Sequence, residues 1–253
     1  MMKQLCVDIL QVQIYDHRIQ MGAAAARDIR DKMLELLAQK QTINMIFAAA
    51  PSQNDVLAAL VNDPAIPWNR VNAFHMDEYV NLPGDAPQSF ANFLRRHLFE
   101  KAHFRSVNCL NCQTVDPQGE CSRYAALLAA NPTDIVVLGI GENGHIAFND
   151  PWVADFDDPD TVKIVPLDAV CRQQQVNDGC FDRIEDVPTH AMTLTIPALV
   201  KAPCLFCIVP AASKAKAVKQ TLYGPISESC PASILRQCEG AKLYLDADSG
   251  ELL

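Results

Sequence analysis

The sequence has little of several features that define whole classes of protein. Basic residues are in the minority, with 21 Lys and Arg against 30 Asp and Glu and a formal net charge of −9. Such a surface repels phosphate backbones, so we expect no nucleic-acid partner. No apolar run approaches the roughly 18 residues of a membrane span, and the first residues lack the pattern of a secretion signal. We therefore expect a cytoplasmic protein without a membrane partner.

Ten cysteines raise the question of disulfides or a zinc site. Without a secretion signal, reduced thiols are the expectation. Cys204 and Cys207 lie in an apolar run that is typical of a buried strand, where residues three apart point to opposite faces and cannot hold one ion. The other C-x-x-C pair, Cys109 and Cys112, has no obvious second pair beside it. The sequence therefore predicts structural thiols and no metal.

Strand and helix patterns alternate along the chain. The run at 134–141 is apolar on both faces, as an inner strand covered by helices on both sides should be. The alternation predicts a doubly wound α/β fold with a mainly parallel sheet and helices on both faces. No linker divides the chain, so residues 1–253 are expected to form a single domain. Strands are predicted at 43–48, 71–74, 134–141, 162–165, 191–196, 204–209 and 242–246, and helices at 21–40, 54–61, 89–99, 119–130 and 214–223.

The segment after the inner strand reads GIGENGHIAFNDP at 139–151. Its glycines have the G-x-G-x-x-G spacing of a dinucleotide-binding motif. Such a motif should be followed by a long helix, however, and Pro151 disfavours a long helix here. The same turn carries His145 and Asp150 at a strand exit, where open α/β sheets bind ligands. A histidine that lies among glycines after the end of a buried strand has few core residues with which to pack, so a purely structural role is not favoured. We therefore interpret His145 as functional.

A second polar segment, HMDEYV at 75–80, follows the strand predicted at 71–74. Asp77 and Glu78 could be a general base and its neighbour. They could equally be acids at a helix N-terminus, where acids are enriched. These residues alone leave both interpretations open.

Together the two segments resemble the glucosamine-6-phosphate deaminase (isomerase) family. Their order and separation also fit, and the similarity covers roughly residues 20–250, including PQSF at 87–90, PTHAMT at 188–193 and SKAKA at 213–217. The segment around His145 is shared in part with 6-phosphogluconolactonases, whereas MDEY at 76–79 and FND at 148–150 favour the deaminases.

The resemblance implies a set of roles. His145 would pass a proton to or from the ring oxygen of an amino sugar phosphate, oriented by Asp150, which stands where the family has Glu, and supported by Asn143. Asp77 would carry a proton between C2 and C1 of the open-chain sugar, leaving an imine that water hydrolyses to ammonia and a ketose 6-phosphate. No metal or organic cofactor is implied. The expected substrate-binding residues are Ser52, Gln53, Asn54, Glu78, Gly141, Gly144 and Lys214.

The sequence departs from the family at the phosphate site. The loop at 48–53 reads AAAPSQ, and Pro51 lacks the N–H that a phosphate oxygen would use. The amides of Ser52–Asn54 and the ammonium of Lys214 remain as candidates, but a family arginine aligns near Gly179. Arg172 or Arg183 could rebuild the anion site.

Two other functions stay open on the residues alone. The first is a sugar-lactone hydrolase, in which His145 would activate water. The second is a sugar-phosphate-binding protein without catalysis. The choice between glucosamine and galactosamine phosphates, and between a single chain and a homo-oligomer, also stays open.

Overall fold

Two sheets organise the protein in a computed structural model that describes residues 3–177 and 179–253. The strands of this described part are β1 (Lys3–Val7), β2 (Leu10–Tyr15), β3 (Ile43–Phe47), β4 (Val71–His75), β5 (Asp77–Tyr79), β6 (Ser106–Asn108), β7 (Ile135–Leu138), β8 (Val162–Pro166), β9 (His190–Leu194), β10 (Cys204–Val209) and β11 (Ala241–Asp246). The large sheet has the order β1-β2-β11-β10-β7-β3-β4-β6 and is parallel except at β1. The small antiparallel sheet has the order β5-β9-β8.

Helices cover both faces of the large sheet. They are α1 (Arg18–Leu37), α2 (Asn54–Val61), α3 (Phe90–Leu94, continued by a π-helical turn at Arg95–Phe99), α4 (Pro117–Ala130), α5 (Ala169–Asn177), α6 (Ile196–Val200) and α7 (Ala215–Tyr223). Buried residues of α1, α2, α3 and α5 belong to one hydrophobic core, and those of α4, α6 and α7 belong to the other. The doubly wound α/β fold is therefore confirmed.

The inner strands supply side chains to both cores. In β7, Ile135 contributes to one core and Val136 to the other, because successive side chains of a strand point to opposite faces. The strand lies between β10 and β3, which confirms its predicted inner position. In β10 the same alternation sends Cys204 and Cys207 into different cores, as predicted, and the ten cysteines, all within the described residues, form no disulfide.

Several elements were not predicted from the sequence. The β1–β2 hairpin adds two strands to one edge of the large sheet. The strands predicted near 162–165 and 191–196 exist, but they form the small sheet with β5. Asp77 and Glu78 follow the end of β4, as the strand-exit interpretation predicted, but they form the short strand β5 and not a helix N-terminus. Helices α5 and α6 were also missed. No helix of the described residues is long and apolar enough to cross a membrane.

Candidate active site

A cleft opens at the carboxyl ends of β3, β4, β7 and β10, where sheets of this type bind ligands. The loops after these strands supply most of its walls, and β5, α1, α3, α5 and the residue Cys180 supply the rest. The predicted site residues that line it are Ser52, Gln53, Asp77, Gly141, His145 and Lys214. The other predicted residues are absent from its lining, namely Asn54, Glu78, Asn143, Gly144 and Asp150.

His145 is held through one ring nitrogen. Its Nδ1 lies 2.8 Å from Asn143 Oδ1 and 3.0 Å from Asp150 Oδ1. Both oxygens accept hydrogen bonds, so Nδ1 carries a proton, and in the neutral ring Nε2 is left as the acceptor. Asn143 also donates from Nδ2 to Asp150 Oδ1 at 2.8 Å and accepts from the His145 backbone N–H at 3.1 Å. The three side chains are thus joined by hydrogen bonds, and of the three only His145 lines the cleft.

The Asp150 carboxylate is fully buried, yet the structure favours its charged form. Burial acts to raise the pKa of Asp150, but the hydrogen bond and the charge of His145, together with the Asn143 hydrogen bond, outweigh it and lower that pKa. The charged Asp150 Oδ1 lies 3.0 Å from His145 Nδ1. The shorter Asp side chain therefore still reaches the histidine.

Two glycines of the same loop allow this arrangement. A Cβ atom at Gly141 would lie 2.1 Å from Cε1 of His145, so the ring packs directly on the backbone there. Gly144 has a φ of +86°, and a Cβ at that position would lie 2.7 Å from the Cys230 Sγ. Gly141 faces the cleft, whereas Gly144 packs against the buried Cys230.

Asp77 brings a second acidic group to the cleft. The carboxylate is 7% exposed, and no hydrogen-bond donor contacts it within the described residues. Burial, and secondarily the charge of Glu78, raises the pKa of Asp77 well above its ordinary value. A carboxylate with a raised pKa is a stronger base than an exposed one.

Glu78 has a different environment although it is the next residue. Its carboxylate accepts hydrogen bonds from the backbone N–H groups of Tyr79, Phe90 and Ala91 at 3.0, 3.1 and 3.0 Å, and from the Ser89 hydroxyl at 2.8 Å. It thereby caps the N-terminus of α3. These contacts tie the small sheet to a helix and account for the side chain without a ligand.

The loop after β3 is held internally. The Gln53 side chain is fully buried and donates from Nε2 to the Ile208 carbonyl of β10 and to the Ser52 hydroxyl, each at 3.1 Å. The backbone N–H of Gln53 donates to the Ala50 carbonyl, and the backbone N–H of Asn54 donates to the Pro51 carbonyl. Two of the three amides that the sequence offered for an anion are therefore already engaged.

Lys214 ends a short turn that follows β10 and lines the cleft, with 6% of its surface exposed. The turn begins at Ala211, whose φ of 84° and ψ of 146° lie in a region that favours glycine. The Ala211 N–H donates to both carboxylate oxygens of Asp246 at 3.1 Å, which holds this backbone conformation.

The structure does not bring the two candidate replacement arginines to the cleft. Arg172 donates to the backbone carbonyls of Ile184 and Val187, and Arg183 forms an exposed ion pair with Asp186. Because both guanidinium groups are bound to other parts of the protein, neither Arg172 nor Arg183 rebuilds the anion site. Gly179 lines a second cavity, which shares Ala49, Pro51, Phe90 and Cys180 with the cleft.

Four lining residues were missed by the sequence analysis, which examined only strand exits and family motifs. They are Arg18 at the start of α1, Gln174 and Gln175 of α5, and Cys180 beyond α5. Gln174 Oε1 accepts a hydrogen bond from the Glu142 amide at 3.0 Å, which joins α5 to the His145 loop. The sequence feature that could have indicated α5 is the segment at 169–177, which combines apolar and polar residues and contains three consecutive glutamines.

One group of side chains in the described part of the chain has the composition of a metal site. Ligand atoms of His145, Asp150 and Cys171 all lie within 4.8 Å of one another and are buried. The contact between His145 Nδ1 and Asp150 Oδ1 engages one atom of each of these two residues, whereas Asp150 Oδ2 has no hydrogen-bond partner in the described residues. Neither C-x-x-C pair contributes to such a group within residues 3–177 and 179–253.

The fold and the cleft define a doubly wound α/β protein that carries a histidine and a buried carboxylate at the carboxyl edge of the sheet. Residues 16–244 match the family described as glucosamine-6-phosphate isomerases/6-phosphogluconolactonase. The chain belongs to this family, and the resemblance found in the sequence is confirmed.

Individual relatives agree with this assignment. Glucosamine-6-phosphate deaminases of Bacillus cereus (strain G9842) and Bacillus thuringiensis (strain Al Hakam) are 40% and 39% identical over 215 residues, which is 85% of this chain and 80% of each relative. A solved monomeric glucosamine-6-phosphate deaminase is 27% identical with a TM-score of 0.86, covering 96% of this chain and 99% of that one. The 6-phosphogluconolactonase of Trypanosoma brucei shares the fold, with a TM-score of 0.79 and 18% identity over 99% of this chain and 100% of that one.

Proposed function

We propose that this protein is a glucosamine-6-phosphate deaminase, an aldose–ketose isomerase that releases ammonia from an amino sugar phosphate. One observation carries the proposal: the same cleft contains a histidine held through Nδ1 and a separate, buried carboxylate with a raised pKa. Ring opening followed by proton transfer between two carbons needs these two groups. The similarity to the Bacillus deaminases supports the substrate.

His145 would act in ring opening. With Nδ1 committed to Asp150 and Asn143, Nε2 can accept the proton of the C1 hydroxyl and return it to the ring oxygen. The ionised Asp150 would stabilise the imidazolium between these two transfers. No metal is needed for this step, because the imidazole itself accepts and donates the proton.

Asp77 would act on the open-chain sugar. Its carboxylate removes the proton from C2 and returns it to C1. In the same conversion O1 gains a proton and the amino nitrogen loses one, exchanged through water, so that the amino aldose becomes a ketose imine. Water then adds to C2, the C2–N bond breaks, and ammonia leaves with fructose 6-phosphate as the product. The absence of a hydrogen-bond donor to the carboxylate in the described part of the chain, together with its burial, supports its role as a base.

The remaining predicted residues divide into two groups. We propose that Ser52, Gln53, Gly141 and Lys214 contact or shape the bound substrate, since each lines the cleft. We propose structural roles for Glu78 and Gly144, whose surroundings are protein, and for Asn54, whose amide is engaged in the turn before α2.

The test is a product assay on the purified protein. Glucosamine 6-phosphate should yield equal amounts of ammonia and fructose 6-phosphate, and galactosamine 6-phosphate tested in parallel decides the sugar. Acid release from 6-phosphogluconolactone without ammonia would support the lactonase instead, and binding without turnover would support the non-catalytic protein. In a deaminase, His145→Gln should impair ring-closed substrate more than an open-chain analogue. Equal losses on both would contradict the ring-opening role.

A further inference from the structure

The cleft has few groups with which to hold an anion in the loop after β3. Pro51 has no N–H, and the amides of Gln53 and Asn54 are engaged by carbonyls of their own turn. A sugar phosphate that enters the cleft must therefore find its cationic partners on other elements.

Arg18 supplies such a partner. It is the first residue of α1, it lines the cleft, and its side chain is 44% exposed. The guanidinium donates from Nε to Asp55 Oδ2 at 2.6 Å and from Nη2 to the Pro51 carbonyl at 3.2 Å. Of its five N–H groups these contacts use two, and the other three have no acceptor in the described residues. Arg18 is thus anchored on the loop and keeps donors for a ligand.

The position of Arg18 is not explained by the stability of its helix. A cation in the first turn of a long α-helix opposes the helix dipole, and the first turn of α1 contains no acidic residue. Asp55 lies in the first turn of α2, where a carboxylate is favourable, and from there it orients the guanidinium.

Close packing of the two helices maintains this contact. Gly22 lies one turn after Arg18, and a Cβ there would lie 2.7 Å from Asp55 Cβ and 3.0 Å from backbone atoms of Asp55 and Val56. Only glycine lets α1 approach the start of α2 so closely. Glycine has a low helix propensity, so Gly22 weakens α1 locally, but it allows the close packing that brings α1 and Arg18 to the cleft.

We propose that Arg18 binds the phosphate group of the substrate together with Lys214. This inference rests on the proposed function and adds a residue that selects phosphorylated over unphosphorylated sugars. Arg18 and Lys214 are the two Lys or Arg side chains in the lining of the cleft within the described residues. The Gln53 side chain joins their two loops through β10, which keeps both cations on the same side of the structure.

The first experiment compares Arg18→Gln with Arg30→Gln. Arg30 is a matched control, because it also lies on α1 and pairs with an α2-side carboxylate, Asp63, at 3.1 Å, but does not line the cleft. Loss of a charge-assisted contact should raise the KM for glucosamine 6-phosphate by about 10- to 100-fold in Arg18→Gln, with a smaller change in kcat. Arg30→Gln should keep the wild-type KM. A KM within twofold of wild type in Arg18→Gln would overturn the proposal.

A second experiment needs neither turnover nor a fold-disrupting variant. Inorganic phosphate titrated into the wild-type protein should shift the NMR signal of the Arg18 Nε–H, and Arg18→Lys should weaken phosphate binding because an ammonium lacks the planar fork. Phosphate binding that leaves this signal and the affinity of Arg18→Lys unchanged would refute the role of Arg18. Absence of ammonia release by a wild-type protein that binds phosphate through Arg18 would instead refute the proposed function.

Discussion

Replacing Asp77 by Asn should greatly reduce activity and stabilise the fold at the same time. The buried carboxylate has no donor in the described part of the structure, and its pKa is raised by burial and by Glu78. A buried polar group without a partner costs about 1–3 kcal/mol, and the neutral amide removes the charged part of this cost. For a chain of this length, 1 kcal/mol corresponds to a shift of the melting temperature of roughly 2–4 °C. We therefore expect Asp77→Asn to melt a few degrees above wild type at pH 8.

The pH dependence identifies the cause of this stabilisation. Because the pKa of Asp77 is higher in the folded state than in the unfolded state, the protonated carboxyl is fully stabilising below the unfolded value of about 3.9. That stability is lost as the pH rises through the raised folded-state pKa. The gap between Asp77→Asn and wild type should thus be small near pH 4 and widest at alkaline pH, as measured by thermal denaturation across this range.

Activity and a neighbouring variant complete the experiment. Asp77→Asn should lose exchange of the C2 proton with solvent and about 10²- to 10⁴-fold in ammonia release, the usual contribution of a general base. Glu78→Gln is the matched control and should destabilise the fold, because an amide cannot accept all four hydrogen bonds that Glu78 receives. Retained C2 exchange in Asp77→Asn, or a melting temperature below wild type at pH 8, would refute the reasoning.

Three further predictions concern the loops around the cleft. Gly141→Ala should reduce kcat by about 100-fold, because a Cβ 2.1 Å from the His145 ring displaces it by about an ångström; unchanged kinetics would contradict that packing. Ala211→Gly should raise the melting temperature by roughly 2–4 °C, since relief of about 1–3 kcal/mol of backbone strain exceeds the added freedom of the unfolded chain. Prolonged EDTA treatment should leave ammonia release unchanged, because His145 Nδ1 is engaged by Asp150 Oδ1 and the proposed proton transfers use only the imidazole and the Asp77 carboxylate; restoration of lost activity by Zn²⁺ would show otherwise.

The parts of the fold that sequence analysis predicts well are those governed by local periodicity. The helix predicted at 54–61 and the strand predicted at 204–209 have the same bounds in the structure. The opposite orientation of Cys204 and Cys207 also follows from strand geometry alone. In these segments, burial on one or both faces imposes a pattern that can be counted.

Other elements depend on partners that are distant in the sequence. Strand β5 has three residues and becomes a strand because it pairs with β9, more than a hundred residues later. Its position explains why Asp77 and Glu78, although adjacent, have different surroundings: successive side chains of a strand point to opposite sides. One lines the cleft and the other caps α3. A strand of this length has no reliable periodic signal.

The anion site shows the same limit at the level of a single side chain. A comparison with family motifs considers only the positions that the relatives use. At one of these positions the family has an arginine, and this chain has Gly179. Arg18 lies far from these motifs and reaches the cleft only because Gly22 lets α1 pack against α2. A chain with a net charge of −9 repels an anionic sugar at long range, so local cations must overcome that repulsion. Arg18 and Lys214 meet this requirement from two elements that only the folded structure brings together.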